Sequence, residues 1–248
     1  MLKKTNCIIL RGHNFGEADR VLEVYSDNFG KIRVVAKGVR RIKSRLAGHV
    51  EPFMYAELMV AEGRGDLSTL AGARAIEQYE FLRRDLKRVA AASYIAELVS
   101  RLTPDGQVSR RFPELLRESL TRLNGHHNPA RVVAYYEWQA VAAAGWEPDL
   151  YVCAECGKRL YPQGLTFSLQ YQGVLCKDCH THDSQAQPIE PETVKLLRCV
   201  AERSFEDFAG VLTSKGIHDE AKRVADSVVH TTLDREPRSR SFLSHIGV

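Results

Sequence analysis

Two Cys-x-x-Cys pairs, Cys153/Cys156 and Cys176/Cys179, stand nineteen residues apart in a chain of 248 residues. Each pair lets two thiolates converge on one ion from a tight turn, and two such turns complete a tetrahedron. Gly157 follows the first pair, where the backbone must fold back beneath the metal. Leu165–Ser168 and Gly173–Leu175 are expected to form a short ribbon between the turns. The alternative is a set of buried or redox-active cysteines, and His180 or His182 stands close enough to replace Cys179. Four thiolates are the simpler set, and they leave no open position for water. The expectation is therefore one structural Zn²⁺ per chain in a module over 146–189. Cys7 and Cys199 stand apart from these pairs.

The N-terminal third reads as strands. Thr5–Arg11, Arg20–Tyr25, Lys31–Ala36, Phe53–Val60 and Leu67–Ile76 carry apolar or alternating patterns. Asp27–Gly30 and Gly63–Asp66 are turn signals. Five short strands, with a long connection between the third and fourth, suit a small closed barrel over 1–78. An OB-fold is the first choice and an SH3-like barrel the second. From residue 79 the period becomes helical. Helices are expected over about 85–102, 113–123, 129–145, 191–202, 205–212 and 219–233. The fold class is thus α+β: a five-stranded OB-fold barrel, then an all-α domain over 79–248 with a four-cysteine, zinc-ribbon-like insertion.

Charge separates the two regions. The whole chain carries +4, but residues 1–50 hold eleven Lys and Arg against four acids, a net of +7 that leaves −3 for the rest. Lys37, Arg40, Arg41, Lys43 and Arg45 crowd into the connection after the third strand. Lys31 and Arg33 alternate with apolar residues on that strand, so they are expected to project toward the same solvent face. Together these seven are the candidate contacts to a nucleic-acid backbone, which is held without reading sequence. The bland reading is a solubility loop. Tyr25, Phe29, Phe53 and Tyr55 are candidates for stacking on bases or for filling the barrel.

No phosphate-binding loop, zinc-protease or hydrolase motif is present. Lys37-Gly38-Val39-Arg40 does not fit the K-x-D-G nucleophile of nucleotidyl-transfer ligases. A binding protein is expected and not an enzyme. No apolar run approaches a membrane span or a signal-peptide core, so the expectation is a cytoplasmic protein without membrane contact.

Several segments, taken in order, look like one family. They are Gly16-Glu17-Ala18-Asp19, Gly30-Lys31, Val35–Arg41 followed by Ser44, Glu51-Pro52-Phe53 and Tyr94–Leu98. Gly145-Trp146-Glu147-Pro148 leading into Cys153–Gly157, Gly173–Cys176 and Arg238–Leu243 complete the pattern. The chain resembles the RecO family of bacterial DNA repair and recombination mediators over nearly its whole length. The resemblance implies an OB-fold, then a helical domain with a zinc module. It implies binding of single- and double-stranded DNA and annealing of complementary strands in the bacterial cytoplasm at the nucleoid. Implied partners are RecR and the C-terminal tail of single-stranded DNA-binding protein, with RecF and RecA involved indirectly. The family's pocket for that acidic tail lies in the helical domain, where Arg131 is a nearby basic candidate although the surrounding pattern does not align. The rival class is an RNA-binding or transcription-associated adaptor, and a cryptic enzyme is a third.

Overall fold

The computed structural model describes residues 1–248 apart from 62, 64–66 and 234, so the turn expected over 63–66 falls largely outside the described residues. Five strands come first: β1 (Leu2–Phe15), β2 (Asp19–Ser26), β3 (Gly30–Ala36), β4 (Tyr55–Ala61) and β5 (Leu67–Glu77). They close into a barrel of order β1-β2-β3-β5-β4. Closure rests on β1, which pairs β4 through Leu2–Ile8 and β2 through Cys7–Phe15. A register shift between Ile9 and Arg11 bends the strand from one partner toward the other. The β3–β5 pair is parallel and every other pair antiparallel.

Alternation places Cys7, Ile9, Leu22, Val24, Val34, Ala36, Ala56, Leu58 and Val60 inside the barrel. On β2 the opposite face is buried as well, because two helices cover it. They are α2 (Leu86–Leu102) and α3 (Arg111–Asn124), preceded by the single turn α1 (Glu80–Arg83). Asp85 starts α2 by accepting hydrogen bonds from the N–H groups of Lys87 and Arg88. The apolar stripe Phe112, Leu115, Leu116, Leu120 and Leu123 gives α3 one buried face. Tyr25 leaves the barrel wall to meet Phe112, ring centroids 6.2 Å apart.

After α4 (Pro129–Ala143) come the short strands β6 (Thr166–Ser168), β7 (Gly173–Leu175) and β8 (Gln187–Pro188), in the order β7-β6-β8. The chain ends with α5 (Pro191–Glu202), α6 (Phe205–Gly210), α7 (Lys215–Thr232) and α8 (Arg238–His245). It gathers into two compact units. The first is Met1–Val133 with Pro237–Val248, and the second is Ala134–Glu236. Inside the second, Tyr135 packs on Phe205 and Phe208, and Trp146 bridges Trp138 and Phe167. Among the described residues, no helix is long and apolar enough to cross a membrane.

Candidate nucleic-acid interface and metal centre

The four thiols do converge. Cys153, Cys156, Cys176 and Cys179 present sulfur atoms that all lie within 4.8 Å of one another, with Cys156 and Cys176 3.9 Å apart. Four thiolates about 2.3 Å from one zinc-sized ion would stand about 3.8 Å apart, so the cluster fits that size. Local folding makes the site. The N–H of Gly157 donates to the Cys153 carbonyl, and that of Cys179 to the Cys176 carbonyl, closing one turn at each pair. Gly157 sits at φ +70°, a conformation that glycine adopts without strain. The β6–β7 ribbon carries one turn to the other, with Thr166 opposite Leu175.

The protein environment acts on the two buried thiols in opposite directions. Burial works to raise the Cys153 pKa, but N–H groups of Cys156, Cys176 and Glu155 outweigh it and hold the thiol down to about 6. Cys179 is pushed up by desolvation and by its thiol and carboxyl neighbours. His182 is engaged with Glu155, its Nδ1 2.5 Å from Oε1, and His180 Nδ1 faces the Lys177 carbonyl at 2.7 Å. Glu155, Cys179 and His182 form a second possible grouping that shares Cys179. The four-sulfur set needs neither histidine, and it is compatible with a structural metal ion.

The seven candidate cations separate into two places. Lys31 opens β3 and lies beside α2. Its ammonium donates to the Ser100 carbonyl at 2.5 Å and pairs with Asp105 at 3.0 Å. Arg33 reaches the same carboxylate at 3.6 Å. Lys31 is therefore drawn away from the expected common face, while Arg33 keeps 52% of its side chain exposed. Six residues of strand, about 20 Å, separate Lys31 from Lys37, and the Lys31 charge is used to hold the barrel against its helices. Glu23 belongs to the same seam, accepting from Arg11 at 2.7 Å and from the Ser100 hydroxyl. A buried carboxylate must be paired in this way.

Lys37, Arg40, Arg41, Lys43 and Arg45 do gather, on the turn that follows β3, and all five are exposed. The turn is braced. Val39 is buried in the barrel core, and the Gly38 N–H donates to Asp19 at 2.7 Å. The Arg40 guanidinium donates to the carbonyls of Gly16 and Glu17, tying the turn to the β1–β2 connection. Arg40 thus shapes the loop, while Lys37, Arg41 and Lys43 are left pointing into solvent. Ile42 stands fully exposed among them.

The aromatic candidates are mostly occupied. Tyr25 and Tyr55 face the helices: Tyr55 donates to Asp27 at 3.1 Å and carries the Arg117 guanidinium 5.4 Å from its ring centre. Phe53 is buried at φ +69°, and Phe29 is half-buried beneath the Lys3 ammonium. Arg131 lies in the first turn of α4, half-buried and engaged within the chain.

The chain thus combines a closed five-stranded barrel carrying a braced cationic loop with a helical region and a cluster of four thiols. Residues 1–79 match the family described as Recombination protein O N terminal, and residues 83–241 match Recombination protein O C terminal. The chain is 35% identical over 243 residues to a protein of Roseiflexus sp. (strain RS-1) named DNA repair protein RecO, an alignment covering 98% of this chain and 85% of that one. A protein of the same name from Dehalococcoides mccartyi (strain CBDB1) is 30% identical over 98% of this chain and 95% of its own. One from Desulforudis audaxviator (strain MP104C) is 31% identical over 99% and 97%. The chain belongs to the recombination protein O family.

Proposed function

We propose that this protein is a DNA-binding mediator of repair and homologous recombination, with no covalent chemistry of its own. Single- and double-stranded DNA is held by phosphate contacts to the loop 37–45. Partial neutralisation of two strands lets complementary sequences anneal. With RecR, the protein helps RecA load onto single-stranded DNA coated by single-stranded DNA-binding protein, with RecF acting indirectly. The acidic C-terminal tail of that coating protein docks on the helical part, with Arg131 as the candidate basic contact. The work takes place in the bacterial cytoplasm at the nucleoid. The bound ion is zinc, one per chain, with a structural role. Four thiolates suit this ion and leave it no open position.

The observation that carries the reading is the braced loop: exposed Lys37, Arg41 and Lys43 stand on a turn fixed by Val39, Asp19 and Arg40. A fixed cationic turn meets a polyanion with little ordering cost. Family membership supplies the repair context. The test is the triple variant K37A/R41A/K43A, which leaves the Arg40 brace in place. Its affinity should fall for every DNA sequence, and the slope of log affinity against log salt should become shallower by about 2 on single strands. Unchanged binding would reject the loop as the contact. Annealing of complementary strands coated with single-stranded DNA-binding protein, with and without its acidic tail, tests the mediator role. A preference for structured RNA over single-stranded DNA in competition would move the protein to the RNA-adaptor class.

A further inference from the structure

The thiol-bearing module carries charge that its own fold does not use. Lys158 and Arg159 follow the first Cys-x-x-Cys turn, and Lys177 lies inside the second. All three are exposed, and none forms an ion pair among the described residues. They line a cavity of about 450 Å³ together with Tyr161, Gln163, Asp178 and the candidate metal ligand Cys176. That volume falls within the range of small-ligand sites. Tyr161 is 71% exposed there, unlike the buried Tyr25 and Tyr55.

Backbone hydrogen bonds hold the wall next to the first Cys-x-x-Cys turn. The Lys158 carbonyl accepts from the Cys153 N–H at 2.8 Å, and Arg159 bridges to Val152. The Leu160 N–H donates to Tyr151 at 3.0 Å, and the Leu160 side chain is buried. Across the cavity, Gly164 packs so closely on Lys177 that a β-carbon there would come within 2.9 Å of the lysine's own. Three cations and an open aromatic ring are therefore presented beside the two Cys-x-x-Cys turns.

We infer that this cavity is a second nucleic-acid site, which takes one or two nucleotides of an unpaired strand. Lys158, Arg159 and Lys177 meet phosphates, Tyr161 stacks on a base, and the Gln163 amide faces a base edge. An unpaired strand is favoured because a duplex hides the base faces that Tyr161 would need. The inference shares the choice of DNA as ligand with the reading above, but it does not depend on the loop 37–45.

The test uses the full chain with metal bound and a fluorescent oligo-dT. Tyr161→Ala should weaken binding about tenfold, and Tyr161→Phe should bind like the parent. K158A/R159A/K177A should flatten the salt slope by about 2. On the unsubstituted protein, an oligonucleotide bearing 5-iodouracil should photocrosslink to Tyr161, a readout independent of how any variant folds. Parental affinity in the triple variant at full metal content, or no crosslink at Tyr161, overturns the site. Equal losses on duplex DNA overturn its single-strand character. If K37A/R41A/K43A binds normally while the Tyr161 site behaves as expected, only the loop reading fails. The reverse pattern removes only this site.

Discussion

Lys31 alternates with apolar neighbours as a solvent-facing strand residue does, yet its ammonium sits on the Ser100 carbonyl and the Asp105 carboxylate. Charge and spacing are local properties, whereas the partner arrives from about seventy positions along the chain. Cys7 is a simpler case. Burial pushes its thiol far above the ordinary range, so it serves as a small apolar group in the barrel core. Gly30 shows the same non-local control. It lies at φ +63° in the β2–β3 turn, and a β-carbon there would fall 2.1 Å from the Gln107 carbonyl oxygen. The Gly106 N–H donates to the Lys31 carbonyl beside it, so backbone approaches backbone and neither side can yield. Gly30→Ala should therefore destabilise the first unit by on the order of 2–3 kcal/mol. The urea midpoint measures it, and a loss within about 0.5 kcal/mol would mean that the loop 104–107 moves freely.

At the scale of elements, the barrel strands and the longer helices follow the sequence pattern because their buried faces repeat regularly. The departures have local or distant causes. β1 extends beyond Thr5–Arg11 because β4 and β2 pair with its two ends. α7 begins at Lys215, four residues before the expected start, since Ser214 caps the Ile217 N–H. The sequence pattern does not predict α8. Its first N–H groups, on Arg238 and Ser239, donate to Glu97 of α2 at 2.9 and 2.8 Å. Burial works to raise the Glu97 carboxyl. The Ser239 hydroxyl, the two N–H groups and Arg101 outweigh it and hold its pKa below the ordinary value. A depressed folded pKa makes this contribution complete above the unfolded value of about 4.3, and it is lost as pH falls through the folded one. Glu97→Ala should cost about 2 kcal/mol and release α8 first. Hydrogen exchange over 238–245 should then accelerate at neutral pH, and in the parent only below about pH 4. Equal protection in both proteins would show that α8 is held by its apolar contacts alone.

At the scale of the molecule, the barrel and the four-thiol module lie in different compact units, so metal loss should act on one of them. Ion binding can supply on the order of 10 kcal/mol to a module whose strands are only two or three residues long. Chelation should abolish hydrogen-exchange protection over 146–189 while β1–β5 keep theirs. Loss throughout, or none, would show that the module is not separately dependent on the ion. The cysteine spacing, the strand and helix periods and the crowding of charge at 37–45 are written in one dimension, because each follows from neighbours a few residues apart. They were enough to determine the barrel, the helical region, the convergence of the four thiols and the family. The tertiary structure decided which charges are spent. It buried both faces of β2, took Lys31 and part of Arg33 for Asp105, turned Tyr25 and Tyr55 toward helices, and left Tyr161 open beside three cations that form no ion pair among the described residues. Those outcomes depend on which surfaces meet after the chain has folded, and no local pattern encodes that.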